Sequence, residues 1–193
     1  PLVTGKELLE RALKEGYALA AFNVATLEMV PPLLAAAEEE RAPIILQFNP
    51  GNLEHVGLEY ASAAVRKAVR KASRKATVPG ALHLDHGSGL EQSVRCLQAG
   101  FTSLMYDGTA ESLERNAAVT RQICDMAHAV GIPVEGELGR LAGREADVTV
   151  SEEEASLTDP QEARWYVQET GVDSLAVAVG NAHGMARQQA TLD

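Results

Sequence analysis

The chain contains six short apolar segments that recur at intervals close to the length of one strand–helix unit. Their first residues lie 26, 37, 22, 30 and 41 positions apart, and a strand-helix-strand unit takes about 30 residues. The segments are almost continuously apolar rather than alternating, which is typical of parallel strands buried on both faces. We therefore predict six parallel strands, at residues 18–23, 44–48, 81–85, 103–106, 133–138 and 174–179.

The segments between these strands contain residues that begin and end helices. Ser88 and Glu91 match a capping box, and Gly100 follows the last turn of that predicted helix. Residues 159–162 (Asp-Pro-Gln-Glu) supply an N-cap, a proline at the first helical position and a glutamate three residues after the cap, and Gly171 ends this second helix. The alternation of strands and helices indicates an α/β fold.

Six strand–helix units fit either an open doubly wound sheet or part of an eight-stranded barrel. No Gly-x-Gly-x-x-Gly follows a predicted strand, so a dinucleotide-binding sheet lacks its local signature. Polar residues at the predicted strand ends favour the barrel, because its strand ends converge on one mouth. These residues are Asn23, Asp85, His86, Asp107, Glu137 and His183.

Composition narrows the classes of protein further. The 193 residues are 46% hydrophobic and 23% charged, which suits one soluble domain with its own core. No apolar run approaches the ~20 residues of a membrane span, and the N-terminus lacks the pattern of a signal peptide. A net charge of −10 argues against nucleic-acid or membrane partners. Cys96 and Cys124 indicate free thiols in a reducing compartment, so we expect a cytoplasmic protein.

A basic repeat of period four occupies residues 65–76. On a helix this period places the Arg and Lys side chains in one stripe. The stripe could bind an anion or a nucleic acid, but a solvated helix face with Val and Ala turned inward is the favoured interpretation.

The polar residues at the strand ends are of the types that bind zinc, which prefers imidazole and carboxylate ligands. A single buried histidine is more often only a hydrogen-bonded structural residue. Asp85 and His86 are adjacent in an extended segment, so their side chains should point to opposite sides unless the strand end bends. His83 should share the face of Asp85, as a partner of the site or as a packed core residue.

Six motifs, in this order, resemble those of the class II fructose- and tagatose-bisphosphate aldolases. They are residues 21–24 (AFNV), 83–87 (HLDHG), 106–108 (YDG), 137–143 (ELGRLAG), 157–163 (LTDPQEA) and 181–184 (NAHG). Each motif alone is weak evidence, whereas six in order across nearly the whole chain indicate the family.

The resemblance implies a zinc-dependent (β/α)8 TIM barrel that reversibly cleaves a ketose 1,6-bisphosphate to dihydroxyacetone phosphate and glyceraldehyde 3-phosphate. It implies that His86 and His183 are zinc ligands, and that Asp107 and Glu137 belong to a second metal position. The family also leads us to expect a second divalent metal, a monovalent cation, a homodimer or homotetramer, and a role in glycolysis or related carbohydrate metabolism.

The resemblance assigns roles to four further residues. Asp85 corresponds to the acid/base that acts at the aldehyde or hydroxyl oxygen. Glu145, expected on a mobile loop, corresponds to the acid/base that exchanges the carbon-bound proton. Asn23 and Gly184 correspond to residues that contact the sugar-phosphate substrate.

We expect residues 1–193 to form one barrel domain with about six of the eight strand–helix units. The remaining units would contain the third zinc histidine and the phosphate-binding segments. The alternative is therefore a truncated, non-catalytic fragment or an assembly subunit of the same ancestry. The sequence leaves fructose and tagatose bisphosphate open as substrates, since these differ in the configuration of one hydroxyl.

Overall fold

The six predicted strands form one curled parallel sheet. A computed structural model describes residues 1–72, 78–141, 143–145, 148–151 and 155–181. The sheet has the order β1-β2-β3-β4-β5-β8, and β6 and β7 form a separate antiparallel pair. The strands are β1 Ala21–Asn23, β2 Ile44–Phe48, β3 Gly80–Gly87, β4 Ser103–Tyr106, β5 Val134–Leu138, β6 Gly143–Glu145, β7 Val148–Val150 and β8 Ser174–Val177.

Seven α-helices alternate with these strands in the described part of the chain. They are α1 Gly5–Glu15, α2 Val30–Glu39, α3 Pro50–Val56, α4 Leu58–Ala72, α5 Leu90–Ala99, α6 Leu113–His128 and α7 Pro160–Thr170. A short 3₁₀ turn at Leu27–Met29 precedes α2. The parallel strands follow one another in chain order, without the reversal of order that marks a doubly wound sheet. No helix in the described residues is long and apolar enough to cross a membrane.

The main core lies between the outer face of the sheet and the helices. Leu46, Leu82, Leu104 and Val134, one from each of four neighbouring strands, are at most 1% exposed in this layer. Alternate residues of the same strands face inward, since side chains alternate across a strand. In β2, β3 and β4 almost every residue is buried, which explains the continuous apolar runs of these strands.

At the amino ends of the strands, the inner face is apolar and is covered by α1. Leu8 of α1 packs against Ile45 of β2 and Ala81 of β3. Towards the carboxyl ends the inward positions become polar. The Nε2 of Gln47, for example, donates to the Oδ1 of Asn23 at 2.9 Å. The polar end of the inner face is therefore where a site can form.

The helix signals were right at three positions and wrong at one. Asp159 caps α7 by accepting from the backbone N–H groups of residues 161 and 162, and Gly100 and Gly171 end their helices in the left-handed conformation. The predicted Ser88–Glu91 capping box is wrong. The N-cap of α5 is Gly89. The N–H and Oγ of Ser88 instead donate to Oε1 of Gln92.

Two further predictions are confirmed in the described residues. Val65 and Val69 of α4 are buried whereas Arg66 and Lys67 are exposed, as expected for a solvated basic face; residues 73–76 of the repeat lie outside the described part. Cys96 and Cys124 are both free.

Candidate metal centre

Three potential metal ligands converge at the carboxyl ends of β3, β4 and β5. The Nδ1 of His86 lies 3.0 Å from Oδ2 of Asp107 and 3.6 Å from Oε2 of Glu137. One ligand atom from each residue can be chosen so that all three lie within 4.8 Å of one another. Neighbouring parallel strands bring the residues together, although they are 21 and 30 positions apart along the chain. We refer to these three residues as the metal cluster.

A backbone irregularity in β3 allows both Asp85 and His86 to approach the cluster. His86 has φ of +46°, and the pairing of β3 with β4 shifts register between Leu84 and Gly87. The strand end does therefore bend, and the two side chains are not separated to opposite faces. The Nε2 of His86 lies 4.0 Å from Oδ1 of Asp85. A non-glycine residue with positive φ is strained, and such strain is often found at functional sites.

Gly87 is required by the close approach of two strands at this bend. A Cβ at Gly87 would lie 2.4 Å from the carbonyl oxygen of Met105 in β4. Any larger residue would push the two strands apart where His86 and Asp107 meet. This close approach explains why the His83–Gly87 motif ends in glycine.

Asp107 is held in its ionised form. Burial would raise its pKa, but hydrogen bonds from His86 and from the backbone and hydroxyl of Thr109 outweigh this effect and lower the pKa to about 2. The Thr109 N–H and Oγ1 lie 3.0 and 2.7 Å from Oδ1. Asp107 therefore presents Oδ2 to the cluster as a carboxylate at neutral pH.

A second pair of ionisable residues lies deeper on the inner face. The Nδ1 of His83 is 2.8 Å from the Oγ of Ser103, and its Nε2 is 3.7 Å from Oε2 of Glu135. Burial, together with the charge of His86, lowers the pKa of His83 to about 4. Burial, together with the charge of Asp85, raises the pKa of Glu135 to about 7. His83 is thus a neutral, hydrogen-bonded residue beneath the site.

Glu135 was not among the predicted site residues. The available signal was its spacing of two from Glu137, which places both side chains on one face of β5. Its contact with His83 and its altered pKa depend on burial by neighbouring strands, and no local pattern reveals that burial.

The donor set of the cluster suits a divalent cation. One imidazole and two carboxylates are ligand types that zinc accepts, and they also suit other transition metals that bind nitrogen and oxygen. The side chains of His86, Asp107 and Glu137 are 24%, 20% and 11% exposed, so the cluster is partly enclosed yet still open to an incoming ion or substrate.

The other predicted site residues are placed as follows. Asn23 ends β1, where it accepts the hydrogen bond from Gln47. Glu145 was expected on a loop, but its backbone belongs to β6 and pairs with Val148 of β7; the β-branched residues Val148, Thr149 and Val150 favour this hairpin. The side chain of Glu145 and the whole of His183 and Gly184 lie outside the described residues.

Comparison with known proteins identifies relatives over nearly all of the chain. The family described as "Fructose-bisphosphate aldolase class-II" matches residues 3–193. A fructose-bisphosphate aldolase of Thermus caldophilus is 45% identical over 183 residues, which are 95% of this chain and 58% of that protein. A sulfofructosephosphate aldolase of Alkalicoccus urumqiensis is 40% identical over 98% of this chain and 65% of that protein.

A solved structure supports the same relationship. The crystal structure of the YdjI aldolase from Escherichia coli K12 superposes with a TM-score of 0.83 at 36% identity, over 100% of this chain and 66% of that chain. This chain thus spans about three fifths to two thirds of the length of these relatives. From the family match, the relatives and the shared fold, we conclude that this chain belongs to the class II fructose-bisphosphate aldolase family.

Proposed function

We propose that the protein is a zinc-dependent aldolase that reversibly cleaves a ketose 1,6-bisphosphate to dihydroxyacetone phosphate and glyceraldehyde 3-phosphate. The observation that carries this proposal is the metal cluster of His86, Asp107 and Glu137, which lies beside the buried Asp85 at the carboxyl ends of three adjacent strands. Family membership supplies the reaction class.

His86 connects the two proposed metal positions. We assign it, with His183, to the catalytic zinc, and we assign Asp107 and Glu137 to the second metal position. Its Nδ1 lies within 3.6 Å of both carboxylates, so the two positions would share one environment. A divalent cation bound here would act as a Lewis acid that stabilises the enediolate left by C3–C4 cleavage.

The reaction also needs groups that move protons. Asp85 is the proposed acid/base for the C4 hydroxyl, because its side chain is 8% exposed and lies beside His86. Glu145 is the proposed acid/base at the carbon of the enediolate. Asn23 and Gly184 are the proposed substrate contacts, of which Asn23 is oriented by Gln47.

The remaining proposals follow from the family. We propose a complete (β/α)8 barrel in which residues 1–193 belong to one domain, and a homodimeric or homotetrameric cytoplasmic enzyme of glycolysis or related carbohydrate metabolism. A second divalent metal and a monovalent cation are the proposed further cofactors. The candidate substrates are fructose 1,6-bisphosphate and tagatose 1,6-bisphosphate. Sulfofructose phosphate is a third candidate, because one relative is named for it.

The test uses the protein at its natural length. Release of dihydroxyacetone phosphate is measured for the three substrates, before and after treatment with EDTA and after zinc is added back. We expect cleavage of a ketose bisphosphate that EDTA abolishes and zinc restores.

The variant His86→Ala should abolish cleavage and strongly weaken zinc binding, whereas His55→Ala, at an exposed position on α3, should change neither. Normal zinc stoichiometry and near-normal turnover in His86→Ala would refute the assignment.

A further inference from the structure

Three buried polar side chains behind the metal cluster lie within hydrogen-bonding distance of one another, and we call them the Asn116 triad. Asn116 and Thr120 lie one turn apart on α6, and Tyr166 lies on α7. The Tyr166 hydroxyl donates to Oδ1 of Asn116 at 2.9 Å, and Oγ1 of Thr120 lies 2.6 Å from that hydroxyl and 3.1 Å from Oδ1 of Asn116. The three residues are 2%, 0% and 0% exposed.

The triad contacts the backbone next to both cluster carboxylates. The Nδ2 of Asn116 donates to the carbonyl oxygen of Glu137 at 3.0 Å. A Cβ at Gly136 would lie 2.7 Å from the ring and hydroxyl of Tyr166, and a Cβ at Gly108 would lie 2.5 Å from the amide of Asn116. The triad therefore lies directly against the residue before Glu137 and the residue after Asp107.

Pairing between β4 and β5 does not reach the two carboxylate residues, although Glu137 pairs with Ala176 of β8 and the Asp107 N–H donates to the carbonyl oxygen of Gly87. The pairs recorded between β4 and β5 are Leu104 with Val134 and Met105 with Glu135. Asp107, which follows β4, and Glu137 in β5 each lie two positions beyond the second pair. A buried polar unit that contacts both backbones there supplies a constraint that the β4–β5 ladder does not.

Helix packing does not by itself require polar atoms at these positions. The other buried residues of α6 include Ala117, Ile123 and Ala127, which dock the helix through apolar contacts. Burying an amide, a hydroxyl and a phenol is favourable only when each is hydrogen-bonded, and a fully connected buried network fixes one geometry. The triad therefore holds the Glu137 carbonyl in a defined position, which apolar packing alone would leave adjustable.

We propose that the Asn116 triad is a positioning device that sets the separation of the Asp107 and Glu137 carboxylates and thereby the metal affinity of the cluster. This inference rests on the proposed metal centre but not on the aldol reaction. The three members are positioning residues, because they act on the cluster through the backbone of β5 and of the segment after β4.

Two threonines provide a matched test. The Oγ1 of Thr120 lies 2.8 Å from the carbonyl oxygen of Asn116, and the Oγ1 of Thr170 lies 2.7 Å from that of Tyr166, so each is a buried helical threonine within hydrogen-bonding distance of the carbonyl four residues back. In the hydrogen bonds described, only Thr120 also reaches the side chains of the triad. Thr120→Val and Thr170→Val therefore remove the same hydroxyl group, which contacts the triad at Thr120 and accepts from the Val172 N–H at Thr170.

The measurement is a titration with Co²⁺ alone on the metal-free protein at its natural length, followed by the visible absorption of the bound ion and by thermal unfolding. We expect Thr120→Val and Tyr166→Phe to weaken Co²⁺ binding by roughly 10-fold or more and to shift the absorption bands, as loss of residues that support metal ligands commonly does. Thr170→Val should bind Co²⁺ within about twofold of the parent protein, and Thr120→Ser should restore binding because it keeps the hydroxyl.

A purely structural role predicts a different result. Thr120→Val and Tyr166→Phe would then lower the melting temperature as Thr170→Val does, yet bind Co²⁺ with parent affinity and spectrum, and this would overturn the inference. Failure of Thr120→Ser to restore binding, or absence of Co²⁺ binding by the parent protein, would overturn it as well. A parent protein that binds Co²⁺ and cleaves no ketose bisphosphate would instead refute the proposed reaction alone.

Discussion

At the scale of residues, the site depends on one strained position in β3. The left-handed backbone of His86 and the missing side chain of Gly87 turn the strand end, so that consecutive residues can serve one centre. The side chain of Asp85 is 8% exposed, whereas that of His86 is 24% exposed and faces both cluster carboxylates. This difference predicts separate roles, with His86 in metal binding and Asp85 in proton transfer.

The first residue-scale prediction concerns Asp85→Asn, which keeps the size of the side chain and removes its charge. Turnover should fall by roughly 10²- to 10⁴-fold, the usual contribution of general acid–base catalysis, with zinc content little changed. Asp107→Asn is the comparison, since it removes a proposed ligand of the second metal position and should lower the total content of bound divalent metal in addition to turnover. Steady-state kinetics and metal analysis of both variants decide between the roles. If Asp85→Asn lost zinc and activity in equal measure, Asp85 would be a ligand.

Some of these residues are predictable from the sequence and others are not, for a physical reason. Asp85, His86, Asp107 and Glu137 were predicted because strand ends of a parallel sheet meet, and the structure does bring these four together. The Asn116 triad was not predicted. Asn116 and Tyr166 are 50 positions apart on two helices, and nothing local in the sequence records that α6 and α7 pack side by side.

At the scale of elements, pairing with a neighbour limits the two edge strands of the sheet. The segment predicted to start at residue 18 forms a strand only from Ala21, which pairs with Ile45 near the start of β2. The predicted 174–179 segment stops at Val177, which pairs with Leu138, the last residue of β5. Apolar runs therefore located the strands correctly, but their lengths are decided by pairing, which a single-segment pattern does not contain.

Asp173, which precedes β8, connects three other elements. Its carboxylate accepts hydrogen bonds from Lys6 of α1 at 2.9 Å, from the Val134 N–H of β5 at 2.9 Å, and from the ring of His128 of α6 at 2.8 Å. Burial would raise its pKa, but these hydrogen bonds outweigh that effect and lower it below the ordinary 3.8. The carboxylate therefore favours the folded state whenever it is ionised.

The element-scale prediction is a pH-dependent loss of stability in Asp173→Asn. Because the folded pKa is the lower one, the stabilisation is complete at neutral pH and disappears as the pH falls below about 4 and through the folded pKa. We expect the variant to lose about 2 kcal/mol of unfolding free energy at pH 7, and markedly less at pH 3. Urea unfolding at both values is the measurement.

Glu169→Gln is the control for this prediction. It breaks an exposed ion pair in which Arg121 and Glu169 are 56% and 49% exposed, so its cost should stay below about 1 kcal/mol. An equal loss for Asp173→Asn at pH 7 and pH 3 would show that packing, and not the ionised carboxylate, links the elements.

At the scale of the whole molecule, the described sheet has two edges. In the described residues β1 pairs only with β2, and β8 only with β5. Phe22 of β1 and Val177 of β8 are each 42% exposed, and the polar inner face with the metal cluster lies between these strands. Barrels remove such edges by closing the sheet, and open apolar edges promote association.

The whole-molecule prediction concerns the 193 residues expressed by themselves. Catalysis commonly draws on binding energy from substrate groups remote from the reacting carbons, and phosphates are such groups. This chain spans 58% of the Thermus relative, so we compare it with a chimera in which that relative supplies the remaining C-terminal part. We expect the 193 residues alone to be oligomeric or poorly soluble and to release no measurable dihydroxyacetone phosphate, whereas the chimera should be soluble and active with zinc.

Size-exclusion chromatography and a coupled assay for dihydroxyacetone phosphate, run in parallel on both proteins, decide the question. The edges and the chemistry are tested separately, because association reports on β1 and β8 whereas turnover reports on the completeness of the site. A monodisperse monomer with no activity would mean that the edges are tolerated and that only the site is incomplete. A monodisperse monomer with strong zinc-dependent cleavage would mean that the metal cluster, Asp85 and the rest of these 193 residues already contain all that the reaction needs.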